Sequence, residues 1–360
     1  MNEERAAGSS GLVPAERRDL ATRSASLVRR GLEALAAEGP RIVRFPADRS
    51  LGALRIRVGR GDWLVPWEEF GEAQGPVVVP AGNALALVVF EGASDDDVLA
   101  LAGLRPDDLG GLFLSDTVYI TDAGLAHVGG LTGLQSLSLS SSHVTDAGMA
   151  HLGGLTWLQT LAISYSYRVT DAGLVHLRGL TRLQALDLDR TGITDDGLAY
   201  LAGLTELQML SLGGTRVTDA GLAHLQGLTG LQILGLWGSG VTDAGLAHLP
   251  PGLRVLSLWS PEVTDAGLVH LRGLTRLQEL VLGGPGITDA GLAHLQGLMR
   301  LQTLHLSGSG ITDEGLVYLA DFEDLLELNL QGTEVSEAGL DALRHALPNC
   351  GVTGRGHVVG

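Results

Sequence analysis

The segment TDAGLAHL at residues 218–225 decides the fold of this chain, because close copies of it recur along most of the sequence. The same eight letters start again at Thr242 and Thr288, and near-copies start at Thr121, Thr145, Thr170, Thr194, Thr264, Thr312 and Ser336. Successive copies begin 24, 25, 24, 24, 24, 22, 24, 24 and 24 residues apart. A fixed period of this length indicates stacked supersecondary units, so we expect one elongated repeat array.

Each repeat combines two hydrophobic periods. The stretch LTRLQALDLDRTGI at 180–193 shows the first, in which alternating leucines predict a strand with one buried face. In the eight-letter segment, Thr is a helix N-cap candidate and Asp suits the positive end of the helix dipole. The two Leu residues lie three apart, on one side of a short helix. We expect glycines such as Gly227 and Gly297 to end these helices in the left-handed conformation.

This combination resembles the leucine-rich repeat family, and in particular the ribonuclease-inhibitor-like and cysteine-containing subclass of bacterial type. The resemblance covers about residues 101–350, roughly ten repeats. The family's Asn or Cys after the strand is replaced here by a hydroxyl residue, namely Ser142, Thr191, Thr215, Ser239, Ser309 or Thr333. The resemblance implies an α/β fold: a leucine-rich repeat solenoid with a curved parallel sheet inside and short helices outside. It also implies binding to another macromolecule.

Composition excludes several kinds of chemistry. All 24 basic residues are Arg, so lysine-dependent phosphate loops and Schiff bases are excluded. The single cysteine, Cys350, excludes a disulfide framework and a cysteine-type zinc site. The first residues are charged and resemble no secretory signal, and no stretch approaches the ~20 apolar residues of a membrane span. We therefore expect a cytoplasmic protein without a membrane span; the lysine-free composition suggests a bacterial genome.

Charge is divided unevenly along the chain. Residues 1–60 contain 12 Arg and 7 Asp or Glu, a balance of +5, whereas residues 61–360 contain 12 Arg and 34 Asp or Glu, a balance of −22. An acidic array repels phosphate backbones, so nucleic acid is not the expected partner.

These patterns predict three parts. Residues 1–40 form a basic tail with the spacing of an amphipathic helix, residues 41–100 form a small β-rich N-terminal cap, and residues 101–360 form the array with its closing strand. The cap is expected because a terminal repeat needs a cover for its exposed core.

Seven copies of the segment carry a histidine at the seventh letter: His127, His151, His176, His224, His248, His270 and His294. This position lies about 200° around the helix from the first inward Leu, on the solvent side. Neighbouring helices pack roughly 8–10 Å apart, too far for easy sharing of a zinc ion bound at about 2 Å. We interpret the row as solvated positions copied by duplication and predict neither metal nor cofactor. A pH-sensing or metal-collecting row is the alternative.

Candidate binding residues lie on the concave face, where the x positions of x-L-x-L-x point. Trp237 and Trp259 occupy the same position in adjacent repeats, so we expect their rings to lie side by side. Together with Met209, Ile233, Val255 and Val281 they predict an exposed apolar patch of the kind found in binding hot spots. The alternative is that both rings lie flat and cover their own turns.

Weaker candidates surround this patch. Asp187 and Asp189, beside Arg190, form a polar patch that solvation alone would also explain. Repeat three has one extra residue, in SYSYRV at 164–169, and this insertion is expected to project Tyr165 or Tyr167, with or without a role in binding. His305 lies on the same face. Repeat seven is two residues short and contains PP at 250–251, which predicts a shortened helix.

No hydrolase, metalloprotease, redox or phosphate-loop motif appears in the sequence, so we do not expect an enzyme. We expect a non-catalytic protein–protein interaction scaffold, monomeric unless complexed, that binds a protein partner on its concave face. The alternative is a regulatory or inhibitory subunit whose basic N-terminal head tethers it to an anionic surface or partner.

Overall fold

The computed structural model describes residues 40–58, 66–114, 119–140 and 142–354. The predicted basic tail, except for residue 40, lies outside these ranges, and the division into three parts stays a prediction. The strands are β1 (Arg41–Arg44), β2 (Gly52–Val58), β3 (Glu68–Glu72), β4 (Pro76–Val79), β5 (Asn83–Val89), β6 (Gly111–Phe113), β7 (Ser136–Ser138), β8 (Thr160–Ala162), β9 (Ala185–Asp187), β10 (Met209–Ser211), β11 (Ile233–Gly235), β12 (Val255–Trp259), β13 (Glu279–Gly283), β14 (Thr303–His305), β15 (Glu327–Asn329) and β16 (Gly351–Thr353).

Short helices connect successive strands. The α-helices are α1 (Asp95–Leu99), α2 (Asp122–Val128), α3 (Asp146–Met149), α4 (Asp171–Leu174), α5 (Asp195–Leu198), α6 (Asp219–Leu222), α7 (Asp265–Leu268), α8 (Asp289–Leu292) and α9 (Glu337–Ala346). The 3-10 helices are Ala100–Gly103, Ala150–Leu152, Val175–Leu177, Ala199–Leu201, Ala223–Leu225, Gly245–His248, Val269–Gly273 and Asp313–Tyr318.

One 14-stranded sheet runs through the described part of the chain, in the order β16 to β5 and then β2 and β3. All pairs from β5 to β16 are parallel, whereas β2 is antiparallel to both β5 and β3. Strands β1 and β4 form a separate antiparallel pair. Because β5 pairs directly with β6, the N-terminal strands extend the sheet of the repeats.

The core is a row of leucines in register. Leu186, Leu210 and Leu234 are direct partners on β9, β10 and β11, and each is fully buried. A buried leucine contributes about 1.5–3 kcal/mol, so the same contact repeated along the array supplies most of the stabilisation. The predicted α/β solenoid, with parallel strands on one side of this core and short helices on the other, is confirmed.

Adjacent repeats are joined by a carboxylate clamp. The Asp195 carboxylate accepts the backbone N–H of Thr218 at 2.7 Å through Oδ1 and the hydroxyl of Thr218 at 2.6 Å through Oδ2. The same pair of bonds joins Asp95 to Thr121, Asp122 to Thr145, Asp146 to Thr170, Asp171 to Thr194, Asp219 to Thr242, Asp243 to Thr264, Asp265 to Thr288, Asp289 to Thr312 and Asp313 to Ser336. We call each such pair an Asp–Thr clamp.

The glycine of the repeated segment makes room for this clamp. A methyl group on Gly221 would collide with Oδ1 of Asp195, and one on Gly245 would collide with Oδ1 of Asp219. The clamp therefore explains why Thr, Asp and Gly occur together in the repeated segment. Thr of one repeat receives the carboxylate of the previous repeat, and Gly lets that carboxylate approach.

Most of the hydroxyl residues after the strands donate a hydrogen bond to the backbone of their own turn. The Thr191 hydroxyl donates to the Leu188 carbonyl at 2.6 Å, and the Thr215 hydroxyl donates to the Leu212 carbonyl at 2.6 Å. Equivalent bonds are made by Ser239, Ser309 and Thr333. Ser142 differs, because its hydroxyl lies 3.4 Å from that of Ser166.

One local expectation is wrong, and another holds for only part of the repeats. Gly227 and Gly297 do not adopt the left-handed conformation; the left-handed glycines, such as Gly214 and Gly238, follow the strands instead. The 3-10 helix Ala223–Leu225 precedes Gly227, and the bond from the Leu295 N–H to the Leu292 carbonyl precedes Gly297; such short-range bonds satisfy the last carbonyls without a left-handed residue. Thr also caps only some of the helices, because α5 and others show no bond from the Thr side chain to the helix backbone.

The short repeat follows the expectation from its proline pair. Its helix is only the 3-10 segment Gly245–His248, with no α-helical turn. Leu249, which precedes Pro250, is extended at φ −62° and ψ 135°. A residue before proline avoids the helical region, and this ends the helix early.

Replacing Asp195 by Ala should lower the free energy of unfolding by about 1.5–3 kcal/mol, because the Thr218 N–H and hydroxyl lose a charged acceptor. Urea unfolding followed by circular dichroism measures the change. The matched control is Asp196→Ala, since Asp196 is the next carboxylate along the chain and is exposed; it should change the value by less than about 0.5 kcal/mol. Equal effects of the two variants would contradict a role of the clamp.

Candidate functional site

The alternating residues of β6 to β15 lie on the side of the sheet away from the leucine core, and we call this side the strand face. Met209, Ile233 and Val255 are direct partners at the starts of β10, β11 and β12, and all three are half-buried. Val281 is half-buried on β13 and pairs with Ser257 and His305. The structure therefore brings Met209, Ile233 and Val255 together in one band, whereas Val281 lies two residues further along its strand, between Ser257 and His305.

The Trp237 ring lies over the end of the previous strand. A methyl group on Gly213 would collide with this indole, and Gly214 is also close beneath it. The indole N–H donates to Oδ2 of Asp189 at 3.2 Å. Trp237 is therefore half-buried and fixed, as an indole with both an apolar support and an acceptor is expected to be.

Trp259 lies over the following strand, on the side away from Trp237. Its indole covers Gly283, where a methyl group would collide with the ring, and the side chain remains 51% exposed. The two tryptophans are adjacent in the sheet, yet each leans towards a glycine on its far side. The expected side-by-side contact is therefore wrong, and the alternative, in which each ring covers backbone, describes the rings better, although each covers a neighbouring repeat.

Asp189 holds three donors. Its Oδ1 accepts the Ser211 hydroxyl and the Gly213 N–H, both at 2.6 Å, while Oδ2 accepts the Trp237 indole. Asp187 in turn accepts the backbone N–H of Asp189 at 3.0 Å. The Asp189 carboxylate therefore holds the two following repeats by hydrogen bonds, and solvation alone does not explain its position.

The environment of Asp187 disfavours its charged form. Burial raises the pKa of Asp187 above its ordinary value of 3.8, and the neighbouring Asp189 charge acts in the same direction. The hydrogen bonds from the Asp189 N–H and from Ser164 act in the opposite direction. Desolvation is the largest of these effects, so the folded state favours the protonated form of Asp187 more than the unfolded chain does.

Arg190 lies between two aromatic rings. Its guanidinium carbon is 4.9 Å from the centroid of the Trp237 ring and 5.2 Å from that of the Tyr165 ring. Its Nε is buried without a hydrogen-bond partner in the described part of the chain. Stacking on aromatic faces at such distances is a favourable cation–π arrangement. We call Tyr165, Asp189, Arg190 and Trp237 the aromatic–arginine cluster.

Two members of this cluster have unusual backbone angles. Tyr165 has φ 63° and Arg190 has φ 54°, and these are the left-handed non-glycine residues of the described chain. Other repeats place Gly214, Gly238, Gly308 or Gly332 at the equivalent position. A side chain there costs about 1–2 kcal/mol. The sequence patterns give Arg190 only as the neighbour of Asp187 and Asp189, yet its departure from glycine in that column is the feature that identifies it as part of the site.

His305 lies outside this cluster. Its Nε2 is 3.1 Å from the Glu327 carboxylate on the next strand, and the side chain is half-buried. The seven repeated histidines are exposed or half-buried on the helix side. Across residues 40–58, 66–114, 119–140 and 142–354, no three His, Cys, Asp or Glu side chains converge as metal ligands would. None of the helices in those ranges has the length and apolar character needed to cross a bilayer.

Comparison with known proteins concerns the repeats and the fold. The family model for the Leucine Rich repeat matches residues 180–202 and 299–320. No curated protein matches the sequence. The structure is similar to an internalin from Listeria monocytogenes, at 22% identity over 74% of this chain and 79% of that one, with a TM-score of 0.54.

Two complexes are also similar. The yeast Rad7 and Elc1 structure matches at 23% identity over 77% of this chain and 78% of that one, with a TM-score of 0.59. The mouse RP105/MD-1 structure matches at 18% identity over 74% of this chain and 46% of that one, with a TM-score of 0.56. At these identities the likeness concerns the fold alone.

Replacing Gly213 by Ala should displace the Trp237 indole from Asp189, because the added methyl group takes the space of the ring. The expected result is a red shift of tryptophan emission that is absent when Trp237 is also replaced by Phe. Gly227→Ala is the control, because no atom lies within 4 Å of the added methyl group. An unchanged emission spectrum for Gly213→Ala would show that the ring is not seated on this glycine.

Replacing Asp187 by Asn should make the protein more stable at neutral pH. A carboxyl group with a raised folded pKa binds more protons folded than unfolded, so its charged form lowers stability as pH rises above the ordinary value of 3.8. Asn keeps an oxygen for the Asp189 N–H but carries no charge. As pH rises from 4 to 7, the urea unfolding midpoint should fall less steeply for Asp187→Asn than for the unaltered chain. Parallel pH profiles of the two proteins would contradict a destabilising ionisation of Asp187.

Proposed function

The repeats of this chain are leucine-rich repeats, and from that premise we propose that the protein is a non-catalytic protein–protein interaction scaffold. Its strand face, from Tyr165 to His305, binds a protein partner. The proposed contact residues are Tyr165, Asp187, Asp189, Met209, Ile233, Trp237, Val255, Trp259, Val281 and His305, together with Arg190.

The aromatic–arginine cluster and Trp259 carry this proposal. Trp259 and Tyr165 are 51% and 45% exposed, and hot spots of protein interfaces are rich in Trp, Tyr and Arg. Left-handed residues other than glycine are kept where the strained conformation serves a purpose, often at ligand contacts. Here the strain at Tyr165 and Arg190 places a cation between two rings on an accessible face.

Binding, and not catalysis, suits the chemistry of this face. Both carboxylate oxygens of Asp189 accept hydrogen bonds, which leaves that group poorly suited to act as a general base. The similar structures of Rad7 with Elc1 and of RP105 with MD-1 are complexes between proteins, which supports a protein as the partner here. The balance of −22 over residues 61–360 argues against nucleic acid. We propose the cytoplasm as the compartment.

The test is site-specific photo-crosslinking. A benzophenone amino acid placed at position 259 should crosslink a protein in lysate of the source cells, and the same protein should be captured by the unaltered chain. Trp259→Ser and Tyr165→Ser should each lower its capture at least tenfold, which corresponds to about 1.4 kcal/mol at 25 °C. Circular dichroism verifies that both variants are folded.

Trp157 provides the matched control, because it is a tryptophan with 52% exposure that lies outside the strand face, in the turn before β8. Trp157→Ser should leave capture unchanged, and a crosslinker at position 157 should not label the same protein. If labelling and capture depend on positions 157 and 259 alike, the strand face is not the binding site. If capture is instead lost only when residues 1–39 are deleted, the alternative of a tethering basic head replaces this proposal.

A further inference from the structure

A groove of about 870 Å³ lies where β11 to β14 begin, at the opposite end of these strands from Trp237 and Trp259. Its lining includes three arginines, Arg254, Arg276 and Arg300, together with Gln278 and Met299. None of the residues assigned to the strand-face site lines it. The groove therefore raises a separate question about what it binds.

The arginines of the groove are unusual in this chain. Residues 61–360 carry 12 Arg against 34 Asp or Glu, yet three of those arginines line one groove. Arg276 and Arg300 are exposed and form no ion pair or ring contact with the described residues. Two uncompensated guanidinium groups in one concave surface create a local positive potential. The groove therefore favours an anionic ligand.

Arg182 differs from the groove arginines in its ring contact. It occupies the position of Arg276 in an identical TRLQ sequence, at 181–184 against 275–278. The Arg182 guanidinium stacks on the Trp157 ring, 3.8 Å from the ring centroid. Arg276 and Arg300 are exposed, as Arg182 is, but make no such contact with the described residues.

The groove also contains an acceptor and an apolar contact. Oε1 of Gln278 is buried without a hydrogen-bond partner in the described part of the chain, as is Oε1 of Gln302 at the same repeat position outside the groove, and a buried acceptor of this kind is normally satisfied by a donor. Met299 is 54% exposed at the rim. A ligand that fits all three features combines negative charge, at least one N–H donor and some apolar surface.

We propose that this groove binds a short acidic segment of a protein, in an extended conformation. Four strands at about 4.8 Å spacing span roughly 15 Å, which matches four or five extended residues at about 3.3 Å each. Carboxylates of such a segment reach Arg276 and Arg300, and the guanidinium group binds carboxylates in a forked geometry. Its backbone N–H groups supply donors for Gln278, and an aliphatic side chain meets Met299.

Other anions fit less well. Inorganic phosphate supplies mainly acceptors and fills a small part of about 870 Å³. A nucleic-acid strand extends beyond the groove over an acidic surface, where its phosphates are repelled. These two ligands serve as competitors in the test.

The experiment measures fluorescence anisotropy of a labelled six-residue peptide that alternates Glu and Ala, with a peptide of Gln and Ala as the neutral probe. The unaltered chain should bind the Glu peptide at least tenfold more tightly, and added salt should weaken binding because the contact is ionic. Arg276→Gln with Arg300→Gln should lower the affinity at least tenfold. The matched control Arg182→Gln should change it less than twofold.

Several results would overturn the proposal. These are equal affinity for the Glu and Gln peptides, an equal loss in the Arg182→Gln control, or displacement of the Glu peptide by inorganic phosphate or an oligonucleotide at the concentration of the peptide itself. Trp259→Ser, which leaves the groove intact, should still bind the Glu peptide. Its failure to capture a partner would then test the strand-face proposal without touching this one.

Discussion

The contact on which the rest of the structure depends is the Asp–Thr clamp. One carboxylate, placed at the start of a helix, accepts both the backbone N–H and the hydroxyl of the next repeat, as in Asp195 and Thr218. Charged acceptors make the stronger hydrogen bonds of proteins, and two from one group also fix orientation. Each repeat is thereby held at a set distance from its neighbour, and this keeps the strand leucines in register. A repeat without a neighbour can satisfy neither half of the clamp, so the array is stable only as a stack.

The clamp also decides where the chain is free to vary. Thr, Asp and Gly serve the junctions, Leu serves the core, and the hydroxyl residues such as Thr191 hold the turns. Several departures from the pattern lie on the strand face and in the turns that flank each strand. Tyr165 and Arg190 replace glycine at a left-handed position, and Gly213 and Gly283 leave space for indoles. These departures are coordinated across repeats, since each large ring lies above a small residue of a neighbour.

Much of the fold follows from the sequence because the period and the leucine spacing concern one repeat at a time. The solenoid, the hydroxyl residues after the strands and the loss of α-helix before Pro250 could all be predicted in this way. Contacts between repeats could not, because residues 21 to 26 positions apart meet in the clamps. A helix-dipole argument accounts for Asp195 without revealing its partner. Likewise, nothing within the repeat of Trp237 indicates that its ring leans towards Gly213, whose missing side chain belongs to the preceding repeat.

The use of arginine completes this picture. The chain has no lysine, and residues 61–360 are acidic overall. Some arginines of the array stack on aromatic rings: Arg178 lies 4.3 Å from the centroid of Tyr200, and Arg182 lies 3.8 Å from that of Trp157. A guanidinium group stacked on a ring keeps its charge and its in-plane N–H donors, while the ring contact fixes its position. Arg276 and Arg300 are exposed, make no ring contact with the described residues and line one shared groove. The same repeat position thus holds an arginine against a ring in one part of the array and two neighbouring arginines in one groove in another, and only the second arrangement concentrates positive charge in a concave surface.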